Sequence, residues 1–200
     1  GLERARQKES QDYIAQLEQK SIPLLMQGRL RGMSVGIVEV GDFPGGANKD
    51  IVVVDVLNRA DCVMAFKVRL SLADVQQIGA GRQGNVFDDL AAELLLGAAH
   101  SAELTSILQS NGSVLAGNFQ KPVQGIVFVL GENVDADQAS KALLPLENAV
   151  ISREGAAVNA IIGKSKTYEK LFADSKIPMI ENIETITSQA ELINRLGSHL

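Results

Sequence analysis

Two short and almost wholly apolar runs constrain this chain more than any other feature of its sequence. VQGIVFVLG covers residues 123–131, and AAVNAIIG covers residues 156–163. Runs of this length and composition are typical of parallel strands that are covered on both faces. A helical pattern follows each run, and strand–helix alternation implies right-handed crossovers between parallel strands. The sequence therefore predicts an α/β fold with helices on both faces of a mostly parallel sheet.

The alternation of strand and helix continues over residues 121–200. Asp135 or Asp137 is predicted to cap the helix after the first run, and a second helix is expected over residues 166–175. IPMIENI supplies a short third strand, and Ser188 begins a capping-box pattern that predicts the last helix.

The β-rich part, residues 32–71, has a different pattern. It contains three runs rich in β-branched residues, at 32–40, 49–57 and 62–70, which are separated by GDFPGGAN and NRAD. Because connections this short cannot hold a crossover helix, the three runs are predicted to be strands with antiparallel neighbours. The expected fold is thus a three-layer, mixed sheet, mostly parallel, with antiparallel strands in its N-terminal half.

A polar helix is predicted over residues 1–28, with a thin apolar stripe that Pro23 interrupts. The stripe favours a helix on the surface of its own domain, and a partner helix or coiled-coil seam is the alternative. Another helix is expected over residues 85–110. All of these elements are assigned to a single domain over residues 1–200, because a chain of 200 residues with 46% hydrophobic content can form one sizeable core.

Charge and cysteine content exclude several classes of protein. The 19 basic and 24 acidic residues give a net charge of −5 without a basic cluster, which argues against nucleic acid as a partner. Cys62 cannot form an intrachain disulfide, and its apolar setting favours a buried side chain over a reactive thiol. No apolar run approaches the roughly 20 residues that span a bilayer. The cytoplasm is slightly favoured as location, with a leader or anchor removed upstream as the open alternative.

The stretch IGAGRQGN contains the pattern G-x-G-x-x-G at Gly79, Gly81 and Gly84. A dinucleotide-binding turn needs a buried strand before these glycines and an acid about 20 residues after them, at the end of a second strand. Gln76 and Gln77 are poor occupants of a buried strand, and no second strand follows at that distance. A loop that leads into a helix is therefore expected, and contact of its amides with an anion is the alternative.

Polar residues also follow the predicted strands, where open α/β sheets bind ligands. Glu132 and Asp135 follow the first apolar run, and Lys164 follows the second. Oxygen ligands suit Mg²⁺ or Ca²⁺, but acids at a helix start also complement the helix dipole. No cofactor is therefore predicted, and Glu132 is the one residue offered as a metal ligand. The candidate ligand-binding residues are Arg82, Asn85, Asp88, Glu132, Asp135 and Lys164.

The order of these elements resembles that of a von Willebrand factor A-type domain. MSVGIVEVGD looks like the second strand of that family. VMAFKVRL, together with the short helix, glycine-rich loop and helix after it, is similar to the family's edge strand and the elements that come after that strand. GIVFVLGEN resembles the strand that usually ends in Thr-Asp-Gly, and the last two strand–helix units match in order. The resemblance implies a Rossmann-like domain that binds proteins.

The metal-ion-dependent adhesion site of that family is expected to be degenerate here. The motif Asp-x-Ser-x-Ser is absent, and the first central strand that should precede it is also expected to be absent. Only Glu132, with Asn85 or Asp88, corresponds in position to the metal ligands that the resemblance implies.

The sequence as a whole favours a binding or assembly protein over an enzyme, because no catalytic nucleophile with an assignable base is found. Its strand-end loops and N-terminal helix would engage another protein or a second copy of the chain. The alternative is an α/β enzyme that binds a small molecule or phosphate. Its site would be formed by the loops at residues 79–85, 131–137 and 163–167, and it requires these three loops to meet at one pocket.

Overall fold

The structure, a computed structural model, describes residues 1–43, 51–81, 83–96, 114–117 and 121–200. The strands in these ranges are β1 Ser34–Val40, β2 Val63–Leu70, β3 Val114–Gly117, β4 Gly125–Leu130, β5 Ala156–Ile161 and β6 Met179–Ile180. The helices are α1 Leu2–Met26, α2 Ile51–Arg59, α3 Leu72–Ala80, α4 Val86–Leu96, α5 Ala136–Gln138, a π-helical segment Ala139–Leu143, α6 Leu144–Ser152, α7 Lys166–Phe172 and α8 Ile186–Gly197.

One sheet of six strands forms the centre of the protein, in the order β3-β2-β1-β4-β5-β6. β2, β1, β4, β5 and β6 run parallel to one another, and β3 pairs antiparallel with β2. Every residue of β4 and β5 is buried. The prediction that the two apolar runs form covered parallel strands is therefore confirmed.

The prediction of antiparallel strands in the N-terminal half is wrong. β1 and β2 are parallel neighbours, and the segment between them that was expected to be a strand over residues 49–57 forms helix α2 from residue 51 onward. Val53, Val56 and Leu57 are buried at helical spacing. β-branched residues favour a strand locally, but burial of this face against the sheet outweighs that preference and supplies the crossover that parallel strands require.

Helices cover both faces of the sheet, and the strand side chains alternate between two cores. Val38 and Val40 of β1 belong to the core beneath α3, α4, α6 and α7. Val35 and Ile37 belong to the opposite core, together with the end of α1, α2 and α8. β1 is therefore a central strand of the sheet, whereas a first central strand was expected to be absent.

The helical region after β4 begins as predicted. Asp135 caps α5, because its carboxylate accepts a hydrogen bond from the backbone amide of Gln138 at 2.9 Å. The π-helical segment directly precedes Pro145, which lies in the first turn of α6. Proline has no N–H to donate and its ring displaces the carbonyl one turn earlier, so the wider π-helical turn has a local cause.

The last helix begins earlier than the capping-box pattern predicts. Its cap is Thr185, whose hydroxyl accepts from the backbone amide of Ser188. The hydroxyl of Ser188 instead donates to the carbonyl of Glu181 at 2.7 Å. Ser188 therefore fixes the approach of α8 to the loop after β6 and does not cap the helix.

Two sequence predictions extend beyond the described residues. The helix expected over residues 85–110 is seen as α4 Val86–Leu96, and the remainder of that range lies outside them. Most of the segment GDFPGGAN and the candidate residue Arg82 also lie outside the described residues.

Candidate functional site

The carboxyl ends of β1, β4 and β5 border a cleft of about 490 Å³. This is the edge at which open α/β sheets bind ligands, and the order of the strands reverses between β1 and β4. Apolar side chains such as Leu130 and Ile161 line part of the cleft. Asp42, Glu132 and Lys164 are its charged lining residues within the described chain.

The crevice between β1 and β4 is closed by main-chain hydrogen bonds. The amide of Asp42 donates to the carbonyl of Glu132 at 2.9 Å, and the amide of Glu132 donates to the carbonyl of Asp42 at 2.8 Å. The amide of Gly131 donates to the carbonyl of Val40 at 2.7 Å. A Cβ at Gly131 would overlap the backbone of Asp42. The main chains at the ends of β1 and β4 are therefore in direct contact at the point of strand reversal, and the cleft is bounded by this contact.

Carboxylates of the same chain occupy backbone amides of the loop after β5. Gly163 donates to Glu184 Oε2 and Ser165 donates to Glu181 Oε2, each at 3.2 Å. An anion site in a loop depends on free amides that point at the ligand. These amides are already hydrogen-bonded, which weighs against phosphate binding by the sequence GKSK.

The charge environment of Glu181 supports the same conclusion. Desolvation and the neighbouring Glu169 carboxylate raise the pKa of Glu181, while the Ser165 amide and the Lys164 ammonium oppose this shift. Lys164 thus already faces a carboxylate of its own chain, so its charge is partly compensated.

The structure brings together part of the predicted site. Glu132 and Lys164 line the same cleft, so two of the three proposed loops converge. Asn85 instead accepts a hydrogen bond from the amide of Phe87 at the start of α4, and Asp88 lies in the first turn of that helix. Among the described residues of the loop at 79–85, none lines the cleft.

The glycine pattern lies where a dinucleotide turn would not form. Gly79 is within helix α3, and Gly81 is the residue at the end of that helix. The glycines therefore follow a helix rather than a buried strand, and the loop leads into α4. The expectation of an ordinary loop before a helix agrees with this geometry.

Within the described ranges, no group of three or more histidine, cysteine, aspartate or glutamate side chains is arranged to hold a metal ion. Cys62 is buried, and burial raises the pKa of its thiol to about 11. The thiol is therefore protonated at neutral pH, as its apolar sequence context indicates.

Tyr168 is a residue of the cleft that the sequence interpretation missed. Its hydroxyl donates to the carbonyl of Gly131 at 2.7 Å, and the side chain is 3% exposed. Burial raises the pKa of this phenol. The spacing of Tyr168 and Phe172 on one face of α7 is a signal of burial, but no local pattern identifies the carbonyl partner.

A second candidate surface is helix α1. Residues 1–21 are all exposed, and the described body anchors the helix near its end, where Met26 is buried and contacts with α8 are made. Among its large apolar side chains, Leu2 is 76% exposed, Tyr13 64% and Leu17 45%. The helix therefore extends from the body and does not lie along it, contrary to the favoured expectation.

Four of the six exposed large apolar side chains of α1 share one face. At about 100° per residue, Leu2, Tyr13, Leu17 and Leu24 fall within an arc of about 60°. Ile22 and Met26, which contact the body, lie on the opposite side of the helix. We call the first four residues the α1 stripe; it points away from the domain to which the helix is attached.

No protein-family model matches this chain, and no curated protein is significantly similar to it in sequence. No helix in the described part of the chain is long and apolar enough to cross a membrane. Function is therefore inferred from the geometry of the cleft and of α1.

Proposed function

We propose that this protein is a non-catalytic binding or assembly domain that engages another protein chain through helix α1. The observation that carries this proposal is the α1 stripe, a row of exposed apolar side chains on a helix that the described body contacts near one end. Apolar side chains in contact with one another on an exposed surface mark sites of protein interaction.

The energetics of an isolated helix support the proposal. Helices in water are marginally stable without tertiary packing, because nucleation is costly and each further residue adds little. Most of α1 Leu2–Met26 has no packing partner within the described residues. A partner chain on the α1 stripe supplies the packing that the body of this chain does not.

The resemblance to von Willebrand factor A-type domains is consistent with a protein-binding role. β1 is a central strand and β3 is an antiparallel edge strand, and that family has strands of both kinds. After β1 the sequence reads DFPGG and lacks the adhesion motif Asp-x-Ser-x-Ser. A domain of this kind, with its adhesion metal site degenerate, binds through surfaces that need no ion.

The contacts at the strand ends weigh against the enzyme alternative. That alternative needs three converging loops, an open crevice and amides that are free to hold an anion. The crevice is closed by the main chain of Asp42 and Glu132, and Glu181 and Glu184 occupy loop amides.

Site-specific crosslinking tests the proposed role of α1. A photoreactive residue at Leu17, within the stripe, should form adducts with a protein chain in the cells that make this protein. Ala15 is the matched control, because it is exposed on the other side of the same turn. We expect several-fold more adduct from position 17 than from position 15.

Equal or absent adduct at the two positions would contradict a docking role for this face. An adduct at position 17 with either a second copy or a different chain supports it, and mass analysis of the adduct identifies the partner.

A further inference from the structure

We infer that α1 pairs with α1 of a second copy of this chain, in antiparallel orientation. This inference rests on the proposed function and names the partner. Its basis is the order of charged side chains on the face of α1 that carries the α1 stripe, in addition to the exposure of the stripe.

Two opposite charges border the apolar centre of the stripe. Glu9 and Lys20 project from the same side of α1 as Tyr13 and Leu17, within an arc of about 80°. Glu9 lies toward the start of the helix and Lys20 toward its end, and both are exposed. Between residues 9 and 20 this face therefore has the order acid, apolar, apolar, base, and Arg6 lies on the same face before Glu9.

This order is self-complementary only when the second helix is reversed. In an antiparallel pair that crosses near residue 15, Tyr13 of each copy lies opposite Leu17 of the other. The same register brings Glu9 of each copy close to Lys20 of the other, so two ion pairs flank an apolar centre. A parallel pair in register places Glu9 against Glu9 and Lys20 against Lys20, which is repulsive.

The helix dipoles favour the same orientation, because antiparallel pairing sets the two dipoles against each other. The contact is isologous, with each interaction made twice about a two-fold axis.

The placement of the stripe leaves it accessible to a second helix. It lies opposite Ile22 and Met26, which attach α1 to the body. A helix laid along the stripe therefore contacts α1 without displacing any packing that the structure shows.

Charge exchange at two positions tests the orientation directly. Sedimentation of the full chain should show a mass that rises with concentration from 21.4 kDa toward twice that value. Glu9→Lys and Lys20→Glu, each alone, should raise the dimer dissociation constant about tenfold, because each converts two attractive contacts into repulsive ones. The double exchange should restore the original dissociation constant.

A mixture of the two single variants gives an independent readout. Antiparallel pairing predicts that the Glu9→Lys chain prefers the Lys20→Glu chain to itself, since all four charges are then matched. Unchanged thermal unfolding of the body serves as the control for folding, because both side chains are exposed and distant from the cores.

A chain that stays monomeric at every concentration would overturn the self-pairing. A dimer whose dissociation constant is unchanged by both single exchanges would also overturn it. The proposed function would then be judged separately, because the comparison of crosslinks at Leu17 and Ala15 also reports a partner of different sequence.

Discussion

Within the α/β body, backbone amides at the strand ends are hydrogen-bonded to other groups of the same chain, whereas α1 exposes apolar side chains to solvent. The amides of Gly163 and Ser165 are held by carboxylates, and Asp42 and Glu132 pair through their main chains. Tyr13 and Leu17, in contrast, are exposed and belong to neither core cluster of the described chain. The two regions thus differ in what they leave available to another molecule.

This difference indicates where binding free energy is available. A ligand at the strand ends must displace hydrogen bonds that already exist, and an exchange of this kind yields little net free energy. A partner on α1 removes exposed apolar surface from water, which is favourable at roughly 25 cal/mol per Å². Substitutions in the body and substitutions on α1, made separately, therefore test this difference.

The largest effect is expected at the closed crevice. Gly131→Ala places a methyl group against the backbone of Asp42, which cannot move aside without breaking the main-chain pairing. We expect a loss of about 3 kcal/mol in the free energy of unfolding. Urea denaturation measures it.

Gly81→Ala is the control for this variant, because the nearest atom to an added methyl there is 3.8 Å away. If the two substitutions lower the free energy of unfolding by the same amount, the crevice is not closed in the way described, and the contrast with α1 is weakened.

Two buried side chains of the body contain oxygen atoms without a hydrogen-bond partner among the described residues. Glu147, on α6, is fully buried, and neither of its side-chain oxygens has a hydrogen-bond partner within the described residues. Asn159 Oδ1 on β5 is likewise unpartnered there. Burial raises the pKa of Glu147 well above its usual range, an effect that the Asn159 side chain only partly opposes. A protonated Glu147 can donate to Asn159 Oδ1, so one proton supplies the missing bond.

The pH dependence of stability tests the protonation of Glu147. The folded chain keeps a proton on Glu147 that the unfolded chain loses above a pKa of about 4.3, so this contribution is complete below that value and is lost as pH rises. The slope approaches about 1.4 kcal/mol per pH unit within that window. Glu147→Gln removes the slope and keeps a donor for Asn159, so it should be increasingly stabilising as the pH rises from about 5 toward the raised pKa of Glu147 in the folded chain.

Glu18→Gln, on the exposed part of α1, is the control for the pH series. Parallel stability curves for the wild type and Glu147→Gln across this range would show that Glu147 is ionised in the folded protein.

The smallest effect is expected on α1 itself. Leu17→Gln should change the unfolding free energy of the body by less than about 0.5 kcal/mol at concentrations where the chain is monomeric, because the side chain is exposed and belongs to neither core cluster. Leu30→Ala is the buried comparison, with an expected loss of about 3 kcal/mol. A large loss at Leu17 would mean that α1 packs on the body in solution.

The parts of the fold that could be predicted from sequence are those set by local pattern. Two almost wholly apolar runs indicated β4 and β5, and Asp135 was one of the two residues expected to cap the helix after β4. Helix α2 was missed because its valines favour a strand, and the burial that overrides this preference depends on the rest of the sheet.

Prediction of the candidate cleft from sequence has the same limit, because local pattern identifies only some of its residues. Glu132 and Lys164 could be placed there from the rule that ligand sites follow the strands. The hydrogen bonds of Tyr168 with Gly131 and of Ser165 with Glu181 could not be predicted, because the two partners lie 37 and 16 residues apart in sequence. Contacts of this kind depend on the packing of α7 and the loop after β6, which no short window of sequence specifies.

The bridge between Asp42 and Glu132 has a consequence for how this scaffold can change over evolutionary time. Because main-chain atoms form it, the bridge is indifferent to the side chains at either position. Substitutions at Asp42 and Glu132 that keep the backbone amide can vary the rim of the cleft and still leave this pairing in place. A descendant that binds a ligand between β1 and β4 would therefore arise through insertion or deletion in one of the two loops or through replacement of Gly131, where an added side chain meets the backbone of Asp42.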